Sequence, residues 1–78
     1  MPTLLKIGDA RFFFFSNEGL EPPHVHVRAS AAVAKFWLDP VSLAKWHRFK
    51  GHELRRLEAL VRRNRRYFLE AWSDHFGT

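Results

Sequence analysis

The chain has 78 residues, of which 46% are hydrophobic, with eight Phe, three Trp and no Cys, and a formal net charge of +5. That length predicts one domain over residues 1–78, burying only roughly 60% of the surface that its unfolded chain exposes. Disulfide staples, cysteine nucleophiles and thiolate metal sites are excluded, and the longest apolar run, Phe12 to Phe15, is too short to cross a bilayer.

In chain order, Thr3 to Ile7 reads as a first strand, and Gly8-Asp9 supplies turn chemistry before a strongly aromatic second strand from Arg11 to Ser16. Residues 17–23 form a loop whose two prolines hold an extended entry into a third strand, His24 to Ala29. The small residues Ala29 to Ala32 mark a reversal, although no Gly is available to define the turn type. Val33 to Asp39 reads as strand four, with Ala34, Phe36 and Leu38 on one face and Val33, Lys35, Trp37 and Asp39 on the other; Pro40 stops it. Val41 to Trp46 fits either a short edge strand or a helical turn. From Gly51 to His75, Leu54, Leu57, Leu60, Val61, Phe68, Ala71 and Trp72 recur at helical spacing, with Gly77 as the stop. This is one long amphipathic helix, or two broken near Asn64. The fold class expected is α+β, an antiparallel meander of four or five strands with the C-terminal helix packed on one face. Leu57, Leu60, Val61, Phe68 and Trp72 should meet Phe36 and Leu38 in the core.

The run Pro22-Pro23-His24-Val25-His26-Val27-Arg28 carries the strongest functional signal. Strand alternation puts His24, His26 and Arg28 on one face and Val25 and Val27 on the other. With the helix on the valine side, the opposite face would present His24, His26, Arg28, Lys35 and Trp37, together with one pair from Phe12 to Phe15. Basic and aromatic groups interleaved on an open sheet can hold phosphates and stack single-stranded bases. The same aromatics can instead be buried by a partner or a second copy, because one helix covers only one sheet face.

Two imidazoles and a cation also suit metal-independent RNA cleavage, with His24 and His26 as acid and base, while a plainer reading has the pair hydrogen-bonding to a loop or packing on Trp37. As metal ligands the two are insufficient, and nothing in the spacing brings Asp39, His52, Glu53 or His75 to them, so no metal or cofactor is expected. Beyond Lys50 lie Arg55, Arg56, Arg62, Arg63, Arg65 and Arg66. Arg62 and Arg66 are candidate phosphate contacts, although helical spacing also allows ion pairs with Glu58 and Glu70.

The stretches Arg11 to Glu18, Glu21 to Val27, Ala34 to Leu38 with Pro40, and Glu53 to Gly77 resemble a family of short bacterial proteins, the domain-of-unknown-function family number 4160. The proline-proline-histidine-valine-histidine motif is its most specific feature. Such proteins are often encoded beside another small protein, in pairs proposed as toxin-antitoxin-like modules. The resemblance therefore implies a small partner protein and a nucleic-acid target, and supplies no catalytic residues. The function expected is a small, cytoplasmic interaction or nucleic-acid-associated protein whose His/Arg site faces an anion. Its partners would be a small protein, a second copy, or RNA or another nucleic acid, and no membrane. The alternatives are a non-catalytic binding module or inhibitor that docks through its aromatic sheet face, and a two-histidine ribonuclease; enzyme status stays open.

Overall fold

The computed structural model describes residues 3–15 and 19–77. Five strands, β1 (Thr3–Ile7), β2 (Ala10–Phe13), β3 (His24–Ala29), β4 (Ala32–Leu38) and β5 (Val41–His47), precede two helices, α1 (Gly51–Arg63) and α2 (Arg65–Phe76). The strands form one antiparallel sheet in the order β1-β2-β3-β4-β5, so each pairs with its neighbour in sequence. No helix among the described residues is long and apolar enough to cross a membrane.

Three reversals are two-residue turns. Gly8 takes φ 58° between the paired Ile7 and Ala10, and Ser30 takes φ 55° between the paired Ala29 and Ala32. Asp39-Pro40, with a cis peptide bond, joins the paired Leu38 and Val41. A left-handed φ at the first central residue matches the right-handed twist of the flanking strands, which is why the turn at Ser30 forms without the glycine that usually supplies it. The side chain is strained there. Ser30→Gly should raise the unfolding free energy by up to about 1 kcal/mol, the left-handed penalty less the added entropy of the unfolded glycine, read as a higher denaturation midpoint in urea.

Several expected boundaries move. β2 ends at Phe13 rather than Ser16, with Phe14 and Phe15 continuing outside the ladder; Ser16, Asn17 and Glu18 lie outside the described residues. β4 is shifted one residue toward the N-terminus, and the ambiguous segment after Pro40 is a seven-residue strand. Between Lys35 and Phe36 the β4–β5 register slips, Phe36 facing Leu43 and Lys35 facing Lys45. The extra residue, Ala44, blurs the alternation that would have identified β5 from sequence.

The C-terminal segment is two helices rather than one. Asn64 leaves the helical basin (φ −103°, ψ 13°), and its side-chain amide donates to the Leu60 carbonyl at 2.8 Å. Arg65 then fixes the start of α2, its Nε donating to the Leu38 carbonyl at 2.6 Å and its guanidinium pairing with Asp39 at 2.9 Å. α1 begins where the Glu53 carboxylate accepts the Lys50 backbone N–H at 2.8 Å. α2 ends at Gly77 in the left-handed conformation (φ 72°).

Both helices lie on one sheet face. Phe12, Val25, Val27, Ala34, Phe36 and Leu38 are buried beneath Leu57, Val61, Phe68 and Trp72, with Leu54 and Leu60 partly buried at the margin. Phe12 stacks on Phe68 at 5.6 Å, and Phe14 meets Trp72 edge-on at 5.1 Å. The sheet's outer strand β1 is tied to this layer by the Tyr67 hydroxyl, which donates to the Leu4 carbonyl at 2.7 Å.

Candidate functional site

The face of the sheet turned away from the helices carries the basic and aromatic side chains, and the strand register arranges them in rows. One row runs across all five strands through Lys6, Arg11, Arg28, Val33 and His47. The next runs through Thr3, Phe13, His26, Lys35 and Lys45. Directly opposed like charges, Arg11 with Arg28 and Lys35 with Lys45, destabilise a sheet unless something between them is negative.

Among the described residues, Lys35 is the one of these cations with an ionic partner. Lys35 Nζ lies 2.8 Å from Glu21 and 4.4 Å from the centre of the Trp37 ring. Arg28 and Lys45 have no ionic partner among the described residues, and Arg11 Nη2 donates to the Thr3 hydroxyl at 3.3 Å. Arg48 Nε donates to His47 Nε2 at 3.1 Å, at the end of β5.

At the centre is an aromatic cluster. Phe13 stacks on His26 (5.6 Å, 22°), Phe15 meets the same imidazole edge-on at 4.6 Å, and Phe13 and Phe15 are themselves edge-on at 5.3 Å. A shallow cavity of about 520 Å³ opens here, lined by Phe13, Phe15, His26, Arg28, Lys45 and His47 among others. A smaller one of about 160 Å³ adjoins it, sharing Phe13 and Arg28 and adding Thr3 and Arg11. Together they make a furrow lined, among the described residues, by no Asp or Glu.

The structure divides the residues singled out in the sequence. Strand pairing sets His24 opposite Trp37 and His26 opposite Lys35, so both histidines belong to the face opposite Val25 and Val27. Their environments differ sharply. His24 has 0% exposure, wedged between His26 (5.0 Å), Trp37 (5.6 Å) and Trp72 of α2 (4.9 Å) at the end of the sheet where α2 crosses it. Its Nδ1 donates to the Pro22 carbonyl at 3.0 Å; a carbonyl only accepts, which fixes the proton of that bond on Nδ1.

His24, expected as an anion-facing and catalytic residue, is buried where α2 meets the end of the sheet and packs against the His26 ring. Lys35, expected as an open phosphate contact, is 8% exposed and held between Glu21 and Trp37. Trp37 is half-buried beneath it. Arg62 pairs with Glu58 at 3.0 Å and Arg66 with Glu70 at 3.3 Å, one turn apart on the solvent side of helices whose other side packs on the sheet. They do not join His26 and Arg28.

Arg11, Phe13, Phe15, Lys45 and His47 complete the site. Alternation within the second strand couples Arg11 with Phe13 and Phe15, a signal masked by four consecutive phenylalanines; Lys45 was hidden by the bulge in β5. Among the described residues no group of three or more His, Asp or Glu side chains gathers as a metal site would require.

Neither a curated protein nor a solved structure matches the chain. The family model for a domain of unknown function, DUF4160, matches residues 10–73, which takes in every strand of the furrow except β1 as well as α1 and most of α2, and the chain belongs to that family.

Proposed function

We propose that the protein binds nucleic acid through the furrow on its open sheet face, as an interaction protein rather than a nuclease. The observation that carries this is the opposition of Arg11 and Arg28 across β2 and β3 beside an aromatic cluster, with no carboxylate lining the furrow among the described residues. Such an arrangement is electrostatically unfavourable alone and favourable around a polyanion. Cleavage by paired imidazoles is less well supported. His24 is buried, and the two histidines that line the furrow, His26 and His47, stand on β3 and β5, whose backbones are about 10 Å apart by ordinary strand spacing.

A role within a toxin-antitoxin-like pair is compatible with this surface, the target being nucleic acid and the small partner protein covering what remains exposed. One observation favours a protein partner: β5 is an outer strand, and Trp46 on it is 57% exposed. The direct test is fluorescence anisotropy with labelled RNA and DNA across a salt series. Binding that weakens linearly in log affinity against log salt, and is lost in Arg11→Glu/Arg28→Glu, is expected; no binding even at low salt sinks the reading.

A further inference from the structure

Resting on that reading, we infer that the furrow ends in a pocket for the terminal phosphate of a nucleic-acid strand, a phosphate monoester held between Arg11 and Arg28. Lys6, Arg11 and Arg28 are consecutive partners across β1, β2 and β3, so three cations stand within two strand spacings, roughly 10 Å. All three are exposed, and none has an ionic partner among the described residues. Asp9, in the turn between β1 and β2, makes no ion pair with any of them.

The cavity of about 160 Å³ at this end of the furrow is lined by Thr3, Arg11, Phe13 and Arg28. Its side chains offer donors and one apolar ring. A guanidinium only donates, and the Thr3 hydroxyl, which accepts from Arg11 Nη2 at 3.3 Å, keeps its own proton for a ligand. That set suits a group that only accepts and carries more than one charge. An internal phosphodiester or a side-chain carboxylate brings a single charge, whereas a phosphate monoester carries about −1.5 to −2 at neutral pH and presents three free oxygens.

Size and position agree with a strand end. The cavity equals the liquid volume of roughly five water molecules, room for a phosphate group but not for the nucleoside attached to it. β1 is an outer strand, so the sheet does not continue beyond the pocket. Lys45 and His47 line the other end of the furrow on β5, about 14 Å from β2 by ordinary strand spacing, where they meet phosphates further along the same strand.

The test is displacement of a labelled oligouridine by unlabelled ones: one with a 5′-phosphate, one with a 3′-phosphate, and a hydroxyl-ended one two nucleotides longer, which matches their total charge. Thermal melts show that each variant used is folded. One of the two phosphorylated ends should compete at least about tenfold better than the hydroxyl-ended strand, the effect of one charge-assisted hydrogen bond. Arg11→Ala and Arg28→Ala should each erase that preference, and Thr3→Val, which removes a donor and no charge, should reduce it. Lys45→Ala should weaken all three competitors alike and leave the preference standing. Uridine monophosphate, which reaches the pocket without the rest of the furrow, should compete far less well than the strand. Equal competition by all three oligouridines overturns the terminal-phosphate pocket while leaving nucleic-acid binding intact. A preference that survives both arginine variants, or that Lys45→Ala erases as fully, overturns the placement between Arg11 and Arg28. Uridine monophosphate competing as well as the strand overturns the assignment to a strand end in favour of a free nucleotide. Failure of the labelled oligouridine to bind even at low salt removes the underlying function itself.

Discussion

Trp72→Ala is expected to cost about 3–5 kcal/mol, comparable to the whole stability of many domains of this size. Trp72 is 2% exposed and fills the space where α2 crosses the sheet, with Phe76 at 4.2 Å, His24 at 4.9 Å and Phe14 at 5.1 Å. Truncation leaves a void among three rings that are themselves anchored in a helix, a strand and a loop, so no one of them can collapse into it without dragging its backbone. Urea denaturation followed by far-ultraviolet circular dichroism should show a variant substantially unfolded before denaturant is added. Trp46→Ala serves as the contrast: that side chain is largely exposed, and its removal should shift stability by less than about 0.5 kcal/mol. A Trp72 variant that melts like the parent would mean that α2 is not seated on the sheet.

The second large effect separates the two histidines. His24→Ala should lower stability by about 2–4 kcal/mol, in the range for other large buried side chains, because it deletes a ring packed on three aromatic neighbours and the hydrogen bond to the Pro22 carbonyl. His26→Ala removes a half-buried ring at the floor of the furrow and should cost less stability than His24→Ala while weakening nucleic-acid binding. Measuring unfolding and anisotropy on both variants checks this directly. If His24→Ala left the fold intact and abolished ligand binding, the histidine would be acting in the site rather than beneath it.

This split also marks how far the sequence could be read. The alternation around Val25 and Val27 correctly places His24, His26 and Arg28 on one face, because period-two patterning survives wherever one side of a strand is buried. Alternation says nothing about how far the sheet extends beyond a residue. His24 sits at the end of its strand, and α2, nearly fifty residues later in the chain, covers it; burial there is decided by a long-range crossing that leaves no local trace. Lys35 is similar, since its neutralisation by Glu21 depends on where the loop after β2 returns. The helical stripe was easier, because Leu57, Val61, Phe68 and Trp72 are spaced by the helix itself, and Asn64 announces the break by offering its side chain to Leu60. β5 was hard for the opposite reason: the bulge at Ala44 breaks the pattern on which a strand is recognised.

The sequential strand order has a kinetic meaning. Every hairpin joins segments adjacent in the chain, so closing the loops of the sheet costs little entropy and its pairing can proceed from any turn outward. The helices have no such advantage. Arg65 must return to Leu38 and Asp39, and Tyr67 must find Leu4 across a sequence separation of 63, before Phe68 and Trp72 can settle on the sheet. Substitutions at these late contacts should therefore appear mainly as faster unfolding, and those in the β3–β4 hairpin mainly as slower folding.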